Sequence, residues 1–382
     1  MTPKVLILSF WNPVKENPHQ GLFIEDQAAA VCRYRNDILF LRVNVLPSGS
    51  LFFTREIIES EFFGNKSITI NISSLFWKFC YVNPWFLSRT VYKILTSAIP
   101  GIKPEIIHSN VIFPCGLVGY LLSRKTGSRL LISEHWSKAV KFLKNPVLGN
   151  LALKVYNSNE QLICVSDFLA EKLRKATGHK NVIVIPNIVD TDIFSFSPKT
   201  KTGKYDFTCV ASWKAPKRLD LIIESLAACA AESEKFFTLN VIGNGPQTDI
   251  FKAYKTPGNL TVNWHGYLDK NDIAGILHRT GYFLHASDTE TFSIVTAEAL
   301  STGTPALVSA TGALPELIHD NNGMLAENNI TSWREKICEI INRSFDNEAI
   351  ARENRERFSV SATGSSINGA YNKILADIDK SR

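Results

Sequence analysis

Two glutamates, Glu290 and Glu298, stand eight positions apart in the segment SDTETFSIVTAEAL (287–300). The run before them, GYFLHAS, reads as a buried strand and SIVTAEAL as the start of a helix, which puts Glu290 in the connection and Glu298 within the helix. Backbone N–H groups around Thr291, Phe292 and Ser293, left unpaired at a helix start, favour an anion there. Glu290 would then accept hydrogen bonds from hydroxyls attached to that anion, and Glu298, a turn or two along, would reach another polar part of the ligand. Spacing alone favours ordinary capping and solvation of both acids.

Three further clusters carry candidate chemistry. In ASWKAPKRLD, Lys214, Lys217 and Arg218 follow the apolar run YDFTCV; ammonium and guanidinium groups there either neutralise a diphosphate or form a solvated basic loop. In SEHWSK, Glu134, His135 and Trp136 end a strand, a better place for a working histidine than a core, though an ordinary hydrogen-bonded histidine fits there as well. In VIGNGP, Gly243 and Gly245 allow close backbone approach to phosphate, but a lone GxG is as readily a plain turn, and the full GxGxxG is not completed. No GxxxxGK[ST] loop is present, so P-loop chemistry has no support.

Parallel α/β architecture is what would carry such residues on strand ends. KVLILSF, DILFLRVNVL, PEIIHSN, RLLISEH, QLICVSD and NVIVIPN are short apolar runs, with helical stretches such as GLFIEDQAAAVCRY and DFLAEKLRKAT between some of them. After the polar stretch DTDIFSFSPKTKTGK the rhythm restarts with YDFTCVAS, KRLDLIIESLAACAAE and FFTLNVIGNG and continues to about residue 320, so a boundary is expected near 195–204. Residues 331–382 read as mainly helical, interrupted at ENRERFS and closed by INGAYNKILADI. Open parallel sheets hold ligands at the carboxyl ends of their strands.

At 382 residues the chain is long for one core and suits two domains. The formal charge of +6 fits an anionic partner without naming it. Seven dispersed cysteines, with no CxxC pair, read as reduced residues of a cytosolic protein, and no metal-spaced cluster appears. MTPKVLILSF reads as a buried strand rather than a targeting signal, and VIFPCGLVGYLL falls short of the roughly 18 to 20 residues that span a bilayer. The segment SSLFWKFCYVNPWFLSRTVYKIL, with Trp77, Phe79, Trp85, Phe86 and Lys93, is either core plus helix surface or a peripheral contact with an anionic membrane interface. Pro84 divides it.

The ordered series VIPNIVDTDIF, ASWKAPKRLDLII, VIGNGP, VNWHGYL and HASDTETFSIVTAEALSTGTPALVSATGALPELI, with NPHQGLFIEDQAAA and SEHWS before it, resembles the retaining glycosyltransferases of family 4. The resemblance implies the GT-B fold, two Rossmann-like domains facing across a deep cleft. It implies an acceptor-binding domain at 1–197, a donor-binding domain at 198–360, and a helical segment at 361–382 packing back on the first domain. By the same resemblance Glu298 binds the ribose of a nucleotide sugar, Glu290 holds donor-sugar hydroxyls, Lys217 meets the diphosphate, and Gly21 lies near the phosphate. His135 lies near the transferring sugar, and Phe292, Ser293 and Ile294 face the donor. Where many relatives have Gly-Arg the chain has Ala211-Ser212, with Lys214 or Arg218 to compensate, and the usual Glu-Gly-Phe-Gly reads Glu290-Thr291-Phe292-Ser293.

The implied reaction is retaining transfer of a hexosyl unit from a UDP- or GDP-sugar to a glycan or glycolipid of cell-surface polysaccharide or lipopolysaccharide. It needs no metal or cofactor and no nucleic acid, and it places the enzyme in the cytoplasm or on the inner membrane face. A nucleotide-sugar epimerase or phosphorylase, or a non-catalytic nucleotide-sugar-binding protein, is the alternative.

Overall fold

The computed structural model describes residues 3–14, 20–158, 160–198 and 205–381. Positions 15–19, which include most of the NPHQ motif, and 199–204, within the expected junction, lie outside them. The chain divides into two compact units, one of Met1–Asn187 with Val360–Arg382 and one of Ile188–Ser359.

The first unit runs β1 (Val5–Ser9), α1 (Leu22–Cys32), β2 (Ile38–Pro47), β3 (Thr54–Phe62), β4 (Asn65–Ser74), α2 (Trp77–Tyr81), α3 (Pro84–Ala98), β5 (Ile106–Asn110), α4 (Leu117–Thr126), β6 (Arg129–Glu134), α5 (Ala139–Phe142), α6 (Gly149–Ser158), β7 (Gln161–Cys164), α7 (Asp167–Thr177) and β8 (Val182–Val184). Its sheet has the order β3-β4-β2-β1-β5-β6-β7-β8. Every residue of β1 is buried, as a strand covered on both faces requires, and this is why it reads as an unbroken apolar run.

Among the described strands of this sheet the antiparallel pair is β3 with β4, a hairpin the apolar pattern does not announce. Phe63 and Gly64 turn it with φ of 49° and 74°, the two left-handed positions of a tight hairpin turn. β3 is exposed almost throughout and carries Arg55, Glu56, Glu59 and Glu61, charges that blunt an open sheet edge. Pro84 opens α3 behind Asn83, whose side chain accepts from the Phe86 N–H at 3.0 Å, so the proline does divide the aromatic segment into two helices.

The second unit runs β9 (Asp206–Val210), α8 (Leu219–Ala231), β10 (Phe237–Ile242), α9 (Thr248–Lys252), β11 (Leu260–Gly266), α10 (Lys270–Leu277), β12 (Tyr282–His285), α11 (Ile294–Ser301), β13 (Ala306–Ser309), β14 (Gly323–Ala326), α12 (Ile330–Ile340) and α13 (Asn347–Phe358). The sheet order is β11-β10-β9-β12-β13-β14, with every pairing parallel.

The expected interruption at ENRERFS is corrected: residues 353–358 are the last turns of α13, and the break comes at Ser359. Asp346 caps this helix by accepting from the Ala349 N–H, the Glu353–Arg357 pair supports its polar face, and Ile350, Ala351, Asn354 and Phe358 form its buried side. A final helix, α14 (Val360–Ser381), belongs to the first unit, where it packs on α1. Gly364 permits that approach, since a Cβ there would lie 2.6 Å from the Ala30 carbonyl oxygen.

Candidate functional site

In the second unit β9 lies between β10 and β12, so the chain leaves β9 toward one edge of the sheet and leaves β12 toward the other. The loops after these two strands therefore diverge and open a crevice at their carboxyl ends. Lys217 comes from the β9–α8 loop, His285 ends β12, and Glu290 comes from the β12–α11 loop; an isolated antiparallel bridge between Lys217 and Ser287 ties the two loops.

Glu290 Oε1 accepts from Lys217 Nζ and, at 2.8 Å, from His285 Nε2. Burial would push the Glu290 carboxyl up, but the Lys217 charge and the His285 hydrogen bond outweigh it and hold the group at about 2. Burial and the Lys217 charge push His285 down, so the ring is neutral and carries its proton on Nε2, where Glu290 receives it. The 3.2 Å approach of Lys217 Nζ to the same nitrogen is then a contact between two donors, and the ammonium is directed to Glu290. The result is an ionised carboxylate locked in one orientation, suited to accepting hydrogen bonds from hydroxyls, beside a cation suited to neutralising an anion.

Other loops hold Glu290 from behind. Gly312 follows β13 with φ 61°, and a Cβ on it would sit 2.4 Å from the Glu290 carbonyl oxygen. That oxygen accepts from the Ala313 N–H at 3.0 Å. Ser287 N–H donates to Ser309 Oγ, and Asn328 Nδ2 and Thr311 Oγ1 donate to the Ser287 carbonyl. Motif and spacing do not single out His285 or Gly312; the signal for His285 is its place at the end of an apolar run, and for Gly312 a Thr-Gly-Ala turn after TPALVSA.

Ser293 precedes α11 in the left-handed region, φ 80° and ψ 78°, with its hydroxyl 2.8 Å from Thr296 Oγ1. A non-glycine residue here retains the backbone form that glycine adopts without cost. Ser293 makes no side-chain cap at the α11 N-terminus, whose first N–H groups, from Ile294 on, are suited to donate to an anion. Phe292 is buried and meets Phe358 edge-on at 5.4 Å, while Thr291 is half-buried. Glu298 is inside α11 and 8% exposed.

The three basic residues of ASWKAPKRLD separate. Lys217 joins Glu290, whereas the Arg218 guanidinium is held by Asp220, through Nε and Nη2, and by Asp288 at 3.2 Å. With two carboxylates on it, Arg218 is a poor substitute for a phosphate-binding arginine. Lys214 is exposed on the turn whose carbonyl accepts from the Lys217 N–H. Gly243, φ 101°, and Gly245 have backbone neighbours: a Cβ would lie 2.0 Å from Ala211 O and 2.2 Å from Trp213 O. Both glycines are thus required for packing the β10–α9 loop on the β9–α8 loop.

In the first unit the corresponding strand ends carry Gly21 and His135. Gly21, φ 71°, leads into α1, and a Cβ there would overlap Trp11 O at 1.8 Å. His135 is buried, with Nδ1 3.0 Å from Asn187 Oδ1 and the Phe23 ring 4.5 Å away. Burial pushes its pKa down to about 3, against the Asn187 hydrogen bond, so the ring is neutral, donates from Nδ1 and presents Nε2 as an acceptor. Glu134, fully buried, accepts from the N–H groups of His135 and Trp136 at 2.9 and 2.8 Å, from Ile112 N–H and from Tyr156 OH, which fixes the loop that carries His135. Among the described residues no group of three or more His, Cys, Asp or Glu is placed to hold a metal ion.

Residues 190–359 match the family model of glycosyl transferases group 1, and residues 59–193 that of glycosyltransferase family 4. An uncharacterized glycosyltransferase of Methanocaldococcus jannaschii is 28% identical over 273 residues, 70% of this chain and 74% of that protein. A component of the human phosphatidylinositol N-acetylglucosaminyltransferase is 27% identical over 244 residues, 62% of this chain but only 49% of that protein, so the match spans about half of its length. The sucrose-phosphate synthase of Thermosynechococcus elongatus superposes with a TM-score of 0.70 at 17% identity, covering 98% of this chain and 100% of that one. The chain is a GT-B-fold glycosyltransferase related to the group 1 and family 4 enzymes.

Proposed function

We propose that the chain is a retaining hexosyltransferase that moves a sugar from a UDP- or GDP-sugar to a hydroxyl of a glycan or glycolipid, in the assembly of cell-surface polysaccharide or lipopolysaccharide. The observation that carries this reading is the Lys217–Glu290–His285 cluster at the β9/β12 switch point, beside the α11 N-terminus. Glu290 stays ionised and accepts from the donor-sugar hydroxyls. Lys217 stands between that sugar and the diphosphate, where its charge stabilises the departing phosphate, aided by the first N–H groups of α11. Glu298, farther into the helix, takes the ribose.

Glu290, held at about 2 by the Lys217 charge and the His285 hydrogen bond, is too weak a base to take the acceptor's proton. The leaving phosphate itself is then the group that receives the acceptor proton. The human relative is named for transfer to phosphatidylinositol, which supports a lipid-borne acceptor, and a cytoplasmic site where nucleotide sugars are available completes the reading.

A screen of labelled UDP- and GDP-sugars against lipid and oligosaccharide acceptors tests it: an extended acceptor with retained anomeric configuration is expected. Donor binding without turnover across the panel would point to a non-catalytic binding protein, and interconversion of free donors to an epimerase. Within the same assay Glu290→Gln should weaken binding of the intact nucleotide sugar about tenfold or more while leaving the bare nucleoside diphosphate nearly unchanged, since a charge-assisted hydrogen bond carries about 1.5–3 kcal/mol. Glu298→Gln should weaken both. Equal, wild-type binding by the two variants would sink the division of roles.

A further inference from the structure

Six large apolar side chains, Leu51, Phe52, Leu75, Phe76, Phe79 and Trp85, are between 51% and 81% exposed in the first unit. They come from the β2–β3 loop, the approach to α2, α2 itself and the first turn of α3, segments that adjoin one another. Leu75 N–H donates to Ser50 O at 2.7 Å, and the Phe53 and Phe86 rings meet at 5.0 Å. Scattered apolar residues on a surface need no explanation, but a contiguous aromatic patch does.

Charge identifies what covers it. From residue 62 to residue 159 the chain has twelve Lys and Arg against two acids, Glu105 and the fully buried Glu134, a surplus of ten where the whole chain has +6. Helix α3 packs against α2 and α4, and α4 against α6, so much of this basic stretch is one continuous helical layer. On α3, Trp85, Arg89 and Lys93 are exposed and follow one another at intervals of four, one stripe with an aromatic residue at its tip and cations behind. Two of the three acids of β3 are engaged by other side chains: Glu59 pairs with Lys66, and Glu56 accepts from Asn71. A second copy of this surface would bring like charges together.

We propose that the first unit docks on an anionic phospholipid bilayer, the aromatic side chains entering the interface and the α3 stripe meeting the headgroups. No helix among the described residues is long and apolar enough to cross a membrane, so the contact is peripheral. From Tyr81 in α2 an aromatic series runs through Phe113, Phe142 and Trp136 to Trp11, each ring 4.9–6.1 Å from the next. It ends beside the His135 strand end and gives the apolar part of a bilayer-borne acceptor a path along the unit. This series rests on the glycolipid reading of the acceptor; the docking itself does not, because vesicle binding is measured with neither donor nor acceptor.

Co-sedimentation of the full chain with phosphatidylcholine vesicles, and with phosphatidylcholine/phosphatidylglycerol vesicles, tests the proposal. Binding to the anionic vesicles that weakens with added salt is expected, with little to phosphatidylcholine alone. Phe52→Ser/Phe79→Ser/Trp85→Ser should weaken it at least about tenfold, and Arg89→Glu/Lys93→Glu by a similar factor. The second variant alters only exposed side chains, so it keeps the test decisive if the first loses stability. Absence of wild-type binding to anionic vesicles, or wild-type binding by the charge variant, overturns the proposal. A doubled mass in solution that the aromatic variant returns to monomer also overturns it, as the patch would then be a self-interface.

Discussion

Truncating His285 removes one of the two groups that orient Glu290 without touching the carboxylate or the lysine. His285→Ala leaves Glu290 with Lys217 alone, free to follow the ammonium, and lets the Glu290 carboxyl rise from about 2 because one hydrogen bond to the ionised form is gone. The expected outcome is a loss of about tenfold or more in kcat/KM for sugar transfer, on the scale of a lost charge-assisted hydrogen bond, with nucleoside diphosphate affinity little changed. His285→Gln, whose amide can donate to the same oxygen, should recover part of that loss. If the alanine variant transfers normally, or if glutamine fares no better than alanine, His285 is a packing residue and not a positioning one. Lys217 and Arg218, adjacent in sequence, show why side-chain type alone misleads: one cation faces Glu290, while the other is taken by Asp220 and Asp288.

At the level of strands and loops, the site is held by backbone contacts between connections far apart in sequence. The β12–α11 loop is clamped by the β13 exit and the segment after β14, through Gly312, Ser309 and Asn328. Gly312→Ala would place a methyl group against the Glu290 carbonyl and force a residue with a side chain into a positive φ, at a cost of about 1–3 kcal/mol. Thermal melting and sugar transfer measured together check this: activity should fall even at temperatures where the variant is fully folded, and a variant that melts early yet transfers normally would show that the clamp does not set Glu290. The alternation of apolar strands and helices was legible because parallel strands buried on both faces leave unbroken runs such as VLILS and ALVS. The places of Glu290 and Lys217 in loops after apolar runs were legible, and the two side chains meet, whereas the donor roles of Glu290, Glu298 and Lys217 came only from the family resemblance. The β3–β4 hairpin was not, since an exposed edge strand carries no apolar alternation, and its turn begins with a phenylalanine in a left-handed conformation. The end of helix α13 was hidden because its polar face dominates the composition, while the few residues that bury it are spread over three turns.

Across the whole molecule, buried neutral histidines make stability depend on acidity well above the range in which carboxylates titrate. His108, in β5, lies 2.6 Å from Tyr371 OH on α14 and 2.7 Å from Ser133 Oγ on β6, joining the last helix to the sheet of the first unit. Burial, and to a lesser degree His135, pushes it down to about 3, and burial does the same to His135. The unfolded chain takes protons on both rings near 6.5 while the folded chain does not, so their contribution is fully present above 6.5 and is lost as the pH falls toward about 3. Each ring adds about 1.4 kcal/mol per pH unit to that slope within the window. Glu290, depressed from 4.5 to about 2, adds a further loss only below 4.5. Denaturant unfolding between pH 7.5 and 5 should therefore show stability falling with acid, and His108→Gln should lower the slope by about one proton, whatever its effect on stability at neutral pH. Hydrogen exchange locates the effect: amides of α14 should lose protection as the pH is lowered, after correction for the intrinsic exchange rate, because an opening that frees His108 from Tyr371 and Ser133 gains a proton that the closed state does not take. A slope unchanged by the substitution, or α14 protection independent of pH, would place the acid sensitivity elsewhere in the molecule.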